Sequence, residues 1–236
     1  MIISGSIRDG SIHLKLSNAA YELSRTLTLG GRVSAPEVVT AVDVAALQRE
    51  LPLYDGDVEA AGFPEAAIKL KSLLAGVDGI LLVSPEYNGS VTPLLKNTLD
   101  WMSRTHEEGE GMYSAYKNKV AAIVSASPGP LGGLRGQFHL RDILLNLGCD
   151  VVGNSATIGG AYQAFADDGT LTNEKQRAHL LAVVDDLCHR SAMKANSSAM
   201  RELHIAHAAG AGSYGELTFA TERRSAFVGA ECEDII

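Results

Sequence analysis

The first residues that could do chemistry form a short loop, Gly5–Ser11, which follows the apolar run Met1–Ile3 after one residue, Ser4. A helical pattern follows, so this loop lies where free backbone N–H groups and the helix dipole favour an anion. The hydroxyls of Ser6 and Ser11 and the guanidinium of Arg8 can add donors, Arg8 by a bidentate contact. The spacing indicates a phosphate-binding loop, and a capped turn without a ligand has the same sequence features.

The loop departs from two common nucleotide-binding patterns. A Walker A loop needs a lysine after its second glycine, and here Ser11 follows Gly10. The dinucleotide fingerprint needs glycine two positions after the first, where this chain has Ile7. These departures argue against hydrolysis of a nucleoside triphosphate and against a dinucleotide-binding half-domain. The loop suits a single terminal monophosphate, the group that FMN carries.

Two further loops have the composition of ligand-binding loops. Ser84–Ser90 contains a rigid Pro85, an aromatic face at Tyr87 and the pair Asn88-Gly89, which tolerates positive φ. Ser125–Gly133 has almost no side-chain bulk, so a flat ring system can approach its backbone. Because ligands bind at the carboxyl ends of parallel strands where the strand order reverses, we expect these loops to meet the first one.

The elements that must position these loops alternate along the chain. Apolar runs predict strands over Met1–Ser4, Val38–Val42, Gly79–Val83, Val120–Val124 and Val151–Val152. Apolar residues at steps of three and four predict helices over Leu16–Leu27, Pro64–Leu74, Thr92–Arg104, Leu134–Leu147 and Asn173–Arg190. The alternation predicts an α/β fold, a flavodoxin-like doubly wound five-stranded parallel sheet with strand order 2-1-3-4-5.

The periodicity fades from Ser191 onward, and glycine, alanine and serine dominate Ala206–Tyr214. We therefore expect one domain over residues 1–190 and a C-terminal extension, residues 191–236, of unknown role. The first strand has only Met1–Ser4 available, so either it is short or the true start of the chain lies upstream of Met1.

Composition and charge exclude several classes of function. With 46% hydrophobic and 20% charged residues the chain is globular, and its net charge of −8 argues against nucleic acid or anionic membrane as the main partner. No stretch approaches the ~18 consecutive apolar residues of a membrane span, and no leader is recognised, so we expect a cytoplasmic protein. His204 and His207 lack a third ligand, so no metal site is predicted. The acidic residues Glu107, Glu108 and Glu110 are interpreted as a solvated loop.

Taken together, these segments resemble the NADPH-dependent FMN reductases with a flavodoxin-like fold. The resemblance covers roughly residues 1–190. The segments that carry it are Gly5–Ser11, Leu51–Tyr54, Ser84–Ser90, Leu95–Asn97, Asp100-Trp101, Ala126–Gly129 and Gly132-Gly133. A Pro-Glu-Tyr-Asn stretch that follows a Gly-Ser-x-Arg loop is a specific combination.

The resemblance implies FMN as the cofactor and NADPH, or NADH, as the hydride donor to flavin N5. Electrons would then pass to a small-molecule acceptor, which could be a flavin, a quinone, an azo compound or a metal oxyanion. It implies that Ser6, Arg8 and Ser11 hold the FMN phosphate. His13 stands where the family commonly has asparagine, and it can donate one hydrogen bond and add charge near the phosphate.

The resemblance also implies which residues contact the isoalloxazine ring. One edge would be lined by Pro85, Glu86, Tyr87, Asn88 and Gly89, and the other flanked by Ser127 and Gly129. Backbone N–H groups would tune the flavin, so no catalytic acid or base is named.

Family members are commonly dimers or tetramers, so the resemblance implies a homodimer or homotetramer. The helix after Ser90 and the helix with Arg135 and His139 are the candidate interface surfaces. The alternative is a flavodoxin-type electron carrier, which needs a flavin covered by aromatic rings and an acidic docking rim. The open, glycine-rich third loop leaves room for nicotinamide and so favours the enzyme.

Overall fold

The computed structural model describes residues 1–29, 32–33 and 38–208. Four parallel strands form the main sheet of these residues, and a short antiparallel pair lies apart from it. The strands are β1 (Ile2–Ser4), β2 (Thr28–Leu29), β3 (Arg32–Val33), β4 (Gly79–Ser84), β5 (Val120–Ala126) and β6 (Asp150–Ile158). The helices are α1 (Ile12–Ser24), α2 (Ala41–Glu50), α3 (Gly56–Ala61), α4 (Glu65–Ala75), α5 (Pro93–Ser103), α6 (Leu134–Asn146) and α7 (Glu174–Ala208). The main sheet has the order β1-β4-β5-β6, with every neighbouring pair parallel.

Helices cover both faces of this sheet, which explains why its strands are apolar throughout. Ile80 and Leu82 of β4 pack into one apolar layer with residues of α2, α4, α5 and α6. Leu81 and Val83 point the opposite way, into a layer with residues of α1 and α7. The α/β class and the flavodoxin-like arrangement predicted from the sequence are confirmed.

The predicted strand Val38–Val42 is wrong, because α2 begins inside it. Thr40 and Asp43 form a capping box, in which Thr40 Oγ1 accepts the Asp43 N–H at 3.4 Å and Asp43 accepts the Thr40 N–H at 3.2 Å. One backbone bond at 2.9 Å, from the Ile2 N–H to the Val39 carbonyl, places Val39 beside β1. The sheet of the described residues therefore has four strands, and their order agrees with the predicted order once the second strand is removed.

The last helix is longer than predicted. α7 continues past Arg190 to Ala208, through the region where the apolar periodicity fades. Backbone contacts divide the chain into two compact units, Met1–Ala192 and Met193–Ile236. Residues 209–236 of the predicted C-terminal extension lie outside the described residues. Among the helices that are described, none is both long and apolar enough to cross a lipid bilayer.

Candidate functional site

A cavity of about 140 Å³ lies at the carboxyl ends of the four parallel strands. Its walls come from the loops after β1, β4, β5 and β6 and from the first turn of α1. The lining residues are Ser6, Arg8, Ile12, His13, Pro85, Glu86, Tyr87, Ala126, Ser127, Pro128 and Tyr162. The three loops that the sequence analysis selected therefore meet in one place.

The first loop is organised around Ser11, which caps α1. Its hydroxyl oxygen accepts the N–H groups of His13 at 3.2 Å and Leu14 at 3.4 Å, and its own proton goes to Ser6 Oγ at 3.0 Å. Ser11 is fully buried and does not line the cavity, whereas Ser6 and Arg8 do. Arg8 is exposed, and within the described part of the chain no carboxylate pairs with it. The cap thus leaves the guanidinium of Arg8 available to an anion.

His13 connects this loop to the loop after β5. Its Nε2 lies 3.0 Å from the carbonyl oxygen of Ala126, and because a carbonyl only accepts, Nε2 carries the proton. Burial lowers the pKa of His13 to about 4; the nearby Arg8 cation also lowers it, and the bond to Ala126 opposes the change. The ring is therefore neutral at pH 7, and the expected charge near a phosphate is absent in this state.

The second loop turns through a tight hairpin at Asn88 and Gly89, whose φ angles are 53° and 79°. Tyr87 and Ser90 exchange two backbone hydrogen bonds of 3.0 Å, as a two-residue hairpin requires. The positive φ expected from the sequence is confirmed. Asn88 and Gly89 lie at the tip and do not line the cavity, whereas Pro85, Glu86 and Tyr87 do.

The carboxylate of Glu86 is bound to the start of α6. It accepts the N–H groups of Arg135 at 2.9 Å and Gly136 at 3.3 Å, and it forms an ion pair with the Arg135 guanidinium. Burial raises the pKa of Glu86, but these contacts more than compensate and hold it below its ordinary value. Glu86 is therefore an anion whose charge is balanced within the protein. At the other end of the loop, His139 Nδ1 lies 2.9 Å from Ser90 Oγ.

The third loop lies tightly on the end of β6. Gly132 has a φ of 58°, and a Cβ there would lie 2.7 Å from the backbone nitrogen of Ile158. Ser125 Oγ donates to the Gly132 carbonyl at 2.7 Å and accepts the side-chain amide of Gln137 at 2.7 Å. Ser127 lines the cavity and Gly129 does not. The low side-chain bulk of this loop thus serves close packing of backbone on backbone.

Sequence reasoning missed four lining residues, namely Ile12, Ala126, Pro128 and Tyr162. The first three adjoin predicted site residues. Tyr162 lies in the loop after β6, which is not among the three predicted ligand-binding loops. The sequence feature that indicates Tyr162 is its position after the fifth predicted strand. The carboxyl ends of parallel strands share one edge of the sheet, so the loop after that strand also lies near the site.

Some of the residues that carry the family resemblance lie outside the cavity wall and hold the fold together. Asn97 on α5 accepts the Tyr54 N–H at 2.7 Å and donates to the Pro52 carbonyl at 2.8 Å. The indole N–H of the buried Trp101 donates to the same carbonyl at 2.8 Å. These bonds fix the Leu51–Tyr54 segment on α5. In the described ranges, no group of three acidic, histidine or cysteine side chains could hold a metal ion.

The fold and the cavity define a class, a doubly wound α/β protein with a ligand cavity at the carboxyl edge of a parallel sheet. The sequence profile of the NADPH-dependent FMN reductases matches residues 1–163. The chain belongs to this family and is an NAD(P)H-dependent, FMN-containing oxidoreductase.

Relatives that are named as reductases support the assignment of the chain to this family. An NAD(P)H-dependent FMN reductase of Pseudomonas aeruginosa is 34% identical over 176 residues, which are 74% of this chain and 85% of that protein. A quinone reductase of Pseudomonas putida is 36% identical over 186 residues, or 78% and 89% of the two chains. Since these relatives are reductases, the enzyme is favoured over the electron carrier.

Solved structures show the same fold. The flavoenzyme NAD(P)H:(acceptor) oxidoreductase FerB of Paracoccus denitrificans has a TM-score of 0.62 and 27% identity, covering 79% of this chain and 92% of its own. RosB with a bound riboflavin phosphate derivative has a TM-score of 0.58 and covers 85% of each chain. At 18% identity, RosB supports the fold alone.

Proposed function

We propose that the cavity at the carboxyl ends of the strands holds FMN and is the place where NAD(P)H reduces a small-molecule acceptor. The observation that carries the proposal is the meeting of the loops after β1, β4 and β5 in one cavity, with an available cation at one end. The residues fit the cofactor: Ser6 and Arg8 suit a phosphate dianion, while Pro85, Ala126 and Ser127 offer small, uncharged walls to a flat ring. When bound, FMN supplies the chemistry, since it accepts hydride from NAD(P)H and returns electrons to an acceptor.

The protein's own residues bind and orient in this proposal. Arg8 and Ser6 hold the phosphate, and Ser11 fixes both by capping α1 and donating to Ser6 Oγ. Glu86 holds the second loop against α6, so that the loop presents Pro85 and Tyr87 to the ring. Asn88, Gly89 and Gly129 lie outside the cavity wall, and their proposed role is to shape the two loops or to contact the ring edge through backbone.

The acceptor and the assembly are also proposals. The names of the relatives favour a quinone or a free flavin over azo compounds and metal oxyanions. We propose a cytoplasmic homodimer or homotetramer without a nucleic-acid or membrane partner. Residues 1–190 are the proposed FMN-binding domain.

Removal of the Arg8 guanidinium tests the assignment of the phosphate. Because charged hydrogen bonds contribute about 1.5–3 kcal/mol, we expect Arg8→Ala to weaken FMN binding about 10- to 100-fold and to leave riboflavin binding unchanged. Quenching of flavin fluorescence on titration with apoprotein measures both. Lys15→Ala, which removes an exposed cation from α1 outside the cavity wall, is the matched control.

Two outcomes would contradict the proposal at different points. An equal loss of FMN and riboflavin affinity in Arg8→Ala would show that Arg8 does not bind the phosphate. A wild-type protein that takes up no FMN in excess, and whose mixture with FMN is not bleached by NADPH without oxygen, would contradict the site itself.

A further inference from the structure

Tyr162 presents an exposed aromatic ring to the cavity. Its side chain is 75% exposed, although the residue lines the cavity wall. It belongs to the loop after β6 and so lies outside the three loops proposed to hold FMN. The proposed function therefore assigns this ring no partner.

The backbone that carries Tyr162 is held firmly. The Ala161 N–H donates to the Ser127 carbonyl at 3.1 Å, and the Ser127 N–H donates to the Ile158 carbonyl at 3.0 Å. A Cβ at Gly159 would lie 2.7 Å from the carbonyl oxygen of Pro130, so the two loops touch backbone to backbone. A tyrosine on such a support loses little conformational freedom when it stacks on a ligand.

A second ring enters the same cavity from the loop after β4. Tyr87 is 53% exposed, and β5 lies between β4 and β6 in the sheet. The rings of Tyr87 and Tyr162 thus reach the cavity from either side of the small-residue loop after β5. Within the described ranges neither ring stacks on another aromatic side chain. Unfilled aromatic faces at a cavity suit a planar ligand.

We propose that Tyr162 determines acceptor specificity by stacking on a planar aromatic acceptor, which favours quinones over acceptors that are not flat. The inference rests on the proposed function and deepens it. The overall reaction is unchanged: NAD(P)H and one proton are consumed, and the quinone gains two electrons and two protons to become a hydroquinone. The ring contributes binding of the acceptor and no proton.

Steady-state kinetics with two acceptors test this proposal on the FMN-loaded protein. We expect Tyr162→Ala to raise the KM for 1,4-naphthoquinone about three- to tenfold, as expected for the loss of one aromatic stacking contact. The KM for ferricyanide, which is octahedral, stays unchanged. Tyr162→Phe keeps the ring and should retain the wild-type KM for both acceptors. Leu131→Ala removes an exposed apolar side chain outside the cavity wall and is the matched control.

The FMN content and FMN affinity of each variant are measured alongside. An equal change for both acceptors, or no change for either, would overturn the proposal. A loss of FMN affinity in Tyr162→Ala would also overturn it, because the ring would then stack on the cofactor. Failure of the wild-type protein to take up FMN would instead contradict the proposed function, and this inference with it.

Discussion

At the scale of single residues, His13 in the first turn of α1 is a neutral histidine. His13 uses its Nε2 proton to join α1 to the Ala126 carbonyl, so the ring acts as a tether between two walls of the cavity. Its ordinary pKa is 6.5, and in the folded protein burial lowers it to about 4. The sequence predicts a residue near the phosphate here, but it could not predict the neutral state, which depends on burial by distant residues.

This difference in pKa makes the stability of the protein depend on pH. Between pH 6.5 and about 4 the unfolded chain binds a proton at His13 that the folded chain does not, so acidification favours unfolding. We expect the free energy of unfolding to fall less between pH 7 and pH 5 in His13→Asn than in the wild type. Urea denaturation at the two pH values measures this. His179 is exposed on α7, so His179→Asn should show the same fall in the free energy of unfolding as the wild type. If His13→Asn also showed that same fall, the lowered pKa of His13 would be contradicted.

At the scale of the elements, a buried ion pair fastens the segment between α5 and β5 to α4. Lys71 Nζ lies 2.6 Å from Glu110 Oε1, and the two side chains are only 5% and 15% exposed. Burial would raise the pKa of Glu110, but the Lys71 ammonium, Ser114 and the His106 N–H lower it to about 2. Of the acidic residues expected in a solvated loop, Glu107 and Glu108 are exposed and Glu110 is not.

Removal of one partner should be costly because the other charge stays buried. Because Glu110 is partly exposed and keeps its bonds from Ser114 and the His106 N–H, we expect Lys71→Met to lower the free energy of unfolding by about 1–3 kcal/mol at pH 7. Adding Glu110→Gln should recover part of this loss. Lys69→Met breaks the exposed pair with Glu65 and should change stability by less than about 1 kcal/mol. Thermal or urea unfolding measures all three; equal effects of Lys69→Met and Lys71→Met would contradict a role for burial.

The strands and helices differ in how well the sequence predicts them. Strands β4 and β5 were predictable because an unbroken apolar run between polar loops signals burial on both faces. The strand predicted over Val38–Val42 is wrong because its β-branched residues favour a strand, whereas the capping box of Thr40 and Asp43 starts a helix. The Lys71–Glu110 pair could not be predicted, since its partners are far apart in sequence and meet only through packing.

At the scale of the whole molecule, the helix α7 contributes side chains to the apolar layer that also contains residues of α1. Leu180, Val183, Val184 and Leu187 are the buried residues that α7 contributes, and all precede Ala192. Among the α7 side chains that the structure describes, those in this layer all lie within the proposed domain over residues 1–190.

Truncation tests the proposed domain. A chain that ends at Ala192 should fold and bind FMN with an affinity within about twofold of the full chain, since it keeps all the buried α7 residues found in the described part of the chain. A chain that ends at His179 loses the four buried α7 side chains, each worth about 1.5–3 kcal/mol, and should not fold. Circular dichroism and FMN titration distinguish the two. Loss of FMN binding on truncation at Ala192 would assign the C-terminal residues to the site.

The contact of Glu86 with Arg135 and the start of α6 removes most of the negative charge that Glu86 would add to the electric field in the cavity of this acidic protein. Glu86 lines the same cavity as Arg8, and its carboxylate is paired with Arg135, so it adds little negative charge to the cavity although the chain carries −8 overall. Counter-ions screen the long-range repulsion within about 10 Å at 0.1 M salt. At this salt concentration the net charge therefore hinders an approaching anion little, and at the cavity the anion meets the guanidinium of Arg8.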